Sequence, residues 1–346
     1  MKLAQNLGIL NSVGIALRET VLRSNKDPLA TENFELMDAD RGSIVIADDG
    51  VPLAVREVGP ADAPITAVFV HGYCLRMASW HFQRQALEQE WGSSVRMVFY
   101  DQRGHGRSGL PTPESCTIAQ LGLDLDAVLR SVAPRGHLML IGHSMGGMTI
   151  LAMTRQKPEI VRERVIGVAL ISTTAAGLTK TGLGRSLSNP VVDAFRRAVR
   201  TSPGVVQLGR GAAKAMVAPV LRAASYGTRV SPRLVDFTQQ MIDDTSVVTI
   251  VNFLETLELH DETDALVHLA RIPVAVVCGD DDWIIPFDKS VALADALPHS
   301  DMVRIRQAGH LVQLEFPDKV NAALVRLGTR AKEMRSKRRS GRRGIV

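Results

Sequence analysis

Short, continuous apolar runs recur along the chain at Ile65 to Val70, Val95 to Tyr100, Leu138 to Ile141, Val165 to Ile171, Ile272 to Cys278 and Met302 to Ile305. Runs of this length without polar alternation predict strands buried on both faces, as in a mostly parallel sheet covered by helices. Helical periodicity lies between most of them: Ala78 to Glu90, Ile118 to Val132, Met148 to Gln156, Lys289 to Leu297 and Lys319 to Lys332. Ahead of this series, Ser43 to Ala47 and Val51 to Val58 flank Asp48-Asp49-Gly50. Asp-Gly between extended segments predicts a β-hairpin. The expected fold is α/β: a hairpin leading into a doubly wound, mostly parallel sheet.

The rhythm breaks between Thr173 and about Ala270. No strong strand run occurs there, but amphipathic segments do, at Pro190 to Thr201, Gly211 to Ala224 and Ser231 to Glu258, joined by glycine-rich stretches. This pattern predicts a helical cap inserted into the sheet domain. The expected division is an amphipathic N-terminal extension at 1–40, a core at 41–175 and 271–330, a cap at 176–270, and a basic, disordered tail at 331–346. The stretch Leu3 to Arg23 is expected to pack on the body, with contact to a membrane surface as the alternative.

Composition narrows the class. A chain of 346 residues, 45% apolar and 22% charged, can bury a sizeable core. Its net charge of +5 conceals a local imbalance: from Arg330 to the end there are eight basic residues and only Glu333 against them. The tail therefore carries +7 and the remainder about −2, a balance that predicts no specific nucleic-acid binding by the body. The tail is the place for weak contact with an anionic lipid surface or RNA. Cys74, Cys116 and Cys278 are too few for a disulfide framework and lack zinc-site spacing. No run of about 18 apolar residues is present. A cytoplasmic protein, at most peripheral to a membrane, is expected, with neither metal nor cofactor.

The chemistry centres on Gly142-His143-Ser144-Met145-Gly146, set between the Leu138 to Ile141 run and the helical stretch after it. A serine on so sharp a strand-to-helix turn needs small flanking residues and projects its hydroxyl from the sheet edge. Ser144 is therefore a candidate nucleophile. It needs a base and a carboxylate to orient that base. His310, in Ala308-Gly309-His310 just beyond the last strand run, is the candidate base. The loop after Val165 to Ile171 offers no carboxylate, whereas the loop after Ile272 to Cys278 offers Asp280, Asp281 and Asp282. Asp282 is the expected acid, with Asp280 and Asp281 a solvated acidic loop and Pro286 fixing the loop's return. Two backbone amides would hold an oxyanion: that of Met145, and that of Tyr73 in His71-Gly72-Tyr73-Cys74. The Tyr73 side chain is also a candidate pocket wall, and His71 is expected to brace its turn.

These pieces, together with Asp101-Gln102-Arg103-Gly104-His105-Gly106-Arg107-Ser108-Gly109 and Glu315-Phe316-Pro317, resemble the α/β-hydrolase family in content and order. The resemblance covers roughly residues 43–328, and Ser144, Asp282, His310 is the family's triad order. It implies an α/β-hydrolase fold and a structural role for the Asp101 to Gly109 loop. The fold hosts many reactions. Serine at the elbow argues against epoxide hydrolases and dehalogenases, which use aspartate there. A cofactor-independent esterase is expected, acting on acyl or monoacylglycerol-like substrates. The alternatives are a carbon-carbon hydrolase, a cofactor-free perhydrolase, and a catalytically silent binding module.

Overall fold

The computed structural model describes residues 27–178 and 225–343, with side chains to 336. The N-terminal stretch Leu3 to Arg23 and the cap segments at 190–201 and 211–224 lie outside the described residues. Eight strands occur in chain order: β1 Arg41–Ile46, β2 Pro52–Val58, β3 Ile65–Val70, β4 Val95–Tyr100, β5 His137–His143, β6 Val165–Ile171, β7 Val274–Gly279 and β8 Ser300–Ile305. The described helices are α1 His81–Trp91, α2 Ile118–Val132, α3 Met145–Gln156, α4 Pro158–Arg164, α5 Pro232–Asp244, α6 Val247–Glu258, α7 Leu266–Leu269, α8 Phe287–Ala296, α9 Val312–Glu315 and α10 Pro317–Arg343.

The strands form one sheet in the order β1-β2-β4-β3-β5-β6-β7-β8. β2 pairs antiparallel with both β1 and β4, and every other pairing is parallel, so β2 alone runs against the rest. The pleat explains the continuous apolar runs. Val68, Val70, Leu138, Leu140, Val168 and Leu170 face one layer with Leu125, Val128, Ile150, Leu151 and Leu293. Ala67, Phe69, Met139, Ile141, Ala169 and Ile171 face the other with Leu87, Trp91, Leu324 and Leu327. Both faces are covered, so both alternate sets must be apolar.

Strand order reverses at β3, which lies between β4 and β5. Such a switch point opens a crevice at the carboxyl ends of the flanking strands. The loops after β3 and β5 leave from this place.

Three boundaries differ from expectation. The insertion's last stretch, with Ala265, Leu266 and Leu269, packs into the sheet's core rather than the cap. Residues 27–40, assigned to the N-terminal extension, belong to the packed body: Phe34 is buried and stacks on Phe237 of α5 with ring centroids 4.2 Å apart. The basic tail is not structureless, because α10 runs on to Arg343. Ala331 is fully buried and Met334 packs against the core, which carries the helix past 331.

The loop after β4 holds the loop after β3 through buried polar groups. His71 Nδ1–H donates to Gly72 O (2.8 Å) and its Nε2 accepts from the Gln102 amide (2.9 Å). His105 Nε2 accepts from the Cys74 amide (3.1 Å), and Asp101 Oδ1 accepts from the Met77 amide (2.7 Å). Arg103, wholly buried, is bidentate to both Asp49 of the hairpin turn and Asp124 of α2. The Asp101 to Gly109 loop is thus structural.

These contacts work with neutral imidazoles. Burial drives His71 down to about 3 and His105 to about 4, and pushes His143 well below the ordinary 6.5. Below about pH 6.5 the unfolded chain takes up protons that the folded one refuses, so stability falls as pH falls. Asp101, pushed up to about 6 by burial, works in the opposite sense, because the folded protein takes that proton first. Burial also lowers His81 and His260 and raises Asp124, so five histidines stand against two aspartates and outweigh them. Urea unfolding should show lower stability at pH 5 than at pH 7.5, each refused proton contributing a slope of up to about 1.4 kcal/mol per pH unit. Equal stability at the two values would contradict the neutral-ring network.

Candidate active site

Ser144 stands between β5 and α3 with φ 52° and ψ −121°, a left-handed conformation rare for a side-chain-bearing residue. Crowding forces it. A Cβ on Gly146 would lie 2.1 Å from Val70 O, and one on Gly142 would lie 2.6 Å from Gly146 C. With glycine at both places, α3 packs directly under the ends of β3 and β5. The turn is held by Ser144 N–H to Ile171 O (2.9 Å) and by Thr173 Oγ1–H to Ser144 O (2.7 Å).

The loop after β3 lies against this serine. A Cβ on Gly72 would fall 3.1 Å from Ser144 Cβ and 2.7 Å from His143 Nδ1. Tyr73, the next residue, lines the cavity over Ser144, and its hydroxyl donates to Ile250 O of α6. Met145 opens α3, whose first amides have no carbonyl four residues earlier in the helix to bond. The two amides expected as oxyanion donors therefore belong to residues flanking the serine.

Asp282 and His310 meet. His310 Nδ1–H donates to Asp282 Oδ2 at 2.8 Å, and both side chains are nearly sealed from solvent. Asp282 Oδ1 accepts the amides of Ile284 and Ile285, each at 2.9 Å, so the carboxylate is fixed by its own loop. With Nδ1 carrying the proton, the neutral ring offers Nε2 as an acceptor. The backbone of His310 is anchored by His143 Nε2–H, which donates to His310 O (3.0 Å).

The three aspartates of this loop have different fates. Asp281 is exposed and accepts from Trp283 Nε1 (3.1 Å). Asp280 departs from expectation: its side chain is only 16% exposed, pairs with Arg304 (2.8 Å) and accepts from the Gln307 amide (2.6 Å). It ties the β7 loop to the β8 loop rather than facing solvent.

Ser144 and His310 share one cavity with about 760 Å³ of empty space, part of it open to solvent. Its apolar wall comes from Leu75, Met148, Ile242, Leu254, Leu257 and Ile285 among others, and Glu258 is the one carboxylate among its described lining residues. Helices α5 and α6 of the insertion supply Ile242, Leu254, Leu257 and Glu258. Within the insertion, Phe237, Met241, Ile250, Val251 and Phe253 are buried packing, and Leu254 reaches the cavity. The roles of His143 and Thr173 had no sequence signal beyond proximity to the elbow and to a loop without carboxylates.

Known proteins share this architecture. RutD of Enterobacter cloacae subsp. cloacae, provisionally named a carbamate hydrolase, is 26% identical over 269 residues, covering 77% of this chain and 92% of that protein. An esterase structure from Thermogutta terrifontis superposes with a TM-score of 0.65 at 24% identity over 84% of this chain and 99% of its own. A bromoperoxidase structure from Bacillus anthracis gives 0.65 at 19% identity, over 84% and 100%. The family model described as the alpha/beta hydrolase family matches residues 67–323, which takes in the elbow, the acid loop and the histidine loop. The chain belongs to the alpha/beta hydrolase family and is a hydrolase.

Proposed function

We propose that the protein cleaves uncharged carboxylic esters with apolar acyl groups through an acyl-enzyme on Ser144. The observation that carries this reading is the 2.8 Å bond from His310 to a buried Asp282, on the wall of the apolar cavity that also holds Ser144. His310 Nε2 takes the proton of Ser144 Oγ as the oxygen attacks the ester carbonyl. The amides of Tyr73 and Met145 receive the developing oxyanion. The imidazolium, stabilised by Asp282, returns its proton to the departing alkoxide. Water, deprotonated by the same ring, then attacks the acyl-enzyme and releases the acid.

Apolar walls and a carboxylate at Glu258 favour neutral acyl chains over anionic ones. An alkyl ester is the least demanding substrate for this set of groups. The similarity to RutD supports one second reading, carbamate cleavage on the same residues, in which carbamoyl replaces acyl on Ser144.

A fluorophosphonate probe should label the wild type and not Ser144→Ala; an unlabelled wild type would sink the nucleophile assignment. Asp282→Asn should lower kcat by about 10⁴-fold, as loss of the orienting carboxylate does in a serine-protease triad. Asp281→Asn should stay near wild type, and equal losses in the two variants would move the acid elsewhere. In a series of p-nitrophenyl esters, kcat/KM should rise from acetate by up to roughly fourfold per methylene, about 0.8 kcal/mol each, until the cavity is filled. A flat series, with faster turnover of p-nitrophenyl carbamates, would favour the second reading.

A further inference from the structure

Glu315 takes no part in the reaction just described, yet its carboxylate sits at the junction of the histidine loop and the cap. We propose that Glu315 is a positioning residue that ties the His310 loop to segment 225–228 of the insertion, so that the seating of that segment sets the alignment of His310. The inference rests on the assignment of His310 as the base.

Glu315 closes α9, the single turn after His310, and its side chain folds back over the loop it has just left. Oε2 accepts from the amides of Gly309 (2.7 Å) and Gly227 (3.2 Å). Oε1 accepts from the amide of Thr228 (2.5 Å) and from its hydroxyl (2.7 Å). One carboxylate thus serves four donors, one on the residue before the base and three on residues 227 and 228 of the insertion.

The two backbones beneath it are in contact. A Cβ on Gly309 would lie 2.6 Å from Gly227 N, and one on Gly227 would lie 2.2 Å from Gln307 O. On the far side of the base, the Leu311 amide donates to Ser225 O at 2.9 Å. Both residues flanking His310 are therefore tied to the same segment, 225–228. His310 O is in turn held by His143 next to the nucleophile. The position of the base relative to Ser144 is fixed from the elbow on one side and from segment 225–228 on the other.

Only a carboxylate fits this site. All four facing groups are donors here, and a glutamine would turn its NH₂ toward an N–H in either orientation. Glu315→Gln therefore keeps one arm of the clasp and opens the other. A displacement of about 1 Å at a catalytic group can cost about 10²-fold in rate.

The test uses the full chain. Glu315→Gln should remain folded by circular dichroism and lower kcat on p-nitrophenyl butyrate by about 10- to 100-fold, with KM changed less than about threefold. The His310 Nδ1–H proton, identified by its loss in His310→Ala, should resonate downfield of the amides in wild type and broaden or disappear in Glu315→Gln. Thr228→Val removes one cap-side donor, and should lower kcat by roughly threefold in wild type but not further in Glu315→Gln. If the melting temperature falls while kcat and the proton signal stay at wild-type values, Glu315 only stabilises the fold and the inference is overturned. Should Glu315→Gln not fold, an unchanged kcat and signal in Thr228→Val overturns it equally. The proton signal reports the alignment of His310 without turnover, so failure of the esterase reading and failure of the clasp give different results.

Discussion

The passage of α3 beneath the ends of β3 and β5 is the constraint on which the rest of the site depends. Backbone meets backbone there, since a single methyl on Gly146 would collide with Val70 O. With the helix pressed this close, the chain must reverse within one residue, and Ser144 absorbs the turn at positive φ. A conformation of this kind costs on the order of 1–3 kcal/mol and persists only where its surroundings over-determine it. The bonds from Ser144 N to Ile171 O and from Thr173 to Ser144 O do so. The serine is consequently the fixed point of the site. The other groups are brought to it on loops.

Buried polar bonds do that work, and their economy depends on neutral rings. His71 and His105 each use one nitrogen as donor and the other as acceptor, which a protonated ring cannot do. The two useful aspartates of the β7 loop are divided in a similar way. Asp280 joins Arg304 and the Gln307 amide, so that the loops after β7 and β8 leave the sheet in a fixed relation. Asp282 can then give one oxygen to its own loop and the other to His310. An acid that had to hold both loops and the imidazole would have too few lone pairs in the right directions.

The strands were legible in the sequence because both faces of the sheet are covered, which turns each strand into an unbroken apolar run. The hairpin showed through Asp49-Gly50, and α2 matches its expected limits, Ile118 to Val132. Helix α4 did not show, because Pro158–Arg164 is short, mostly charged, and buries only Val161. The tail misled for a related reason. Charge argued for disorder, but a helix already nucleated on the core propagates at little cost through Lys and Arg, which are good helix formers. Within the candidate site, Ser144, Asp282 and His310 stood out in the sequence because each follows a recognisable strand. His143, Thr173 and Asp280 act through bonds to residues 24 to 167 positions away, and Glu315 joins its neighbour Gly309 to Gly227 and Thr228, 88 and 87 positions away. No local pattern encodes such partners.

The acid loop also forms part of the substrate wall, and this limits how independently the site can vary. Ile284 and Ile285 donate the amides that fix Asp282 Oδ1, and both side chains line the cavity. Tyr73 lines the same space, bonds to the carbonyl of Ile250 in α6, and adjoins the glycine packed on Ser144. Cavity shape and catalytic geometry therefore share backbone segments at two of the loops. A change that enlarges the pocket at Ile285 shifts the packing on which the acid's two amide bonds rest. A change in α6 is felt through Tyr73, whose hydroxyl bonds to Ile250 O, and through Phe253 and Leu257, which pack in one cluster with Met145 and Ile285. Leu254 and Leu257 line the cavity from α6 without carrying any group that bonds to Asp282 or His310, so they are positions at which the shape of the cavity can vary while that pair stays in place.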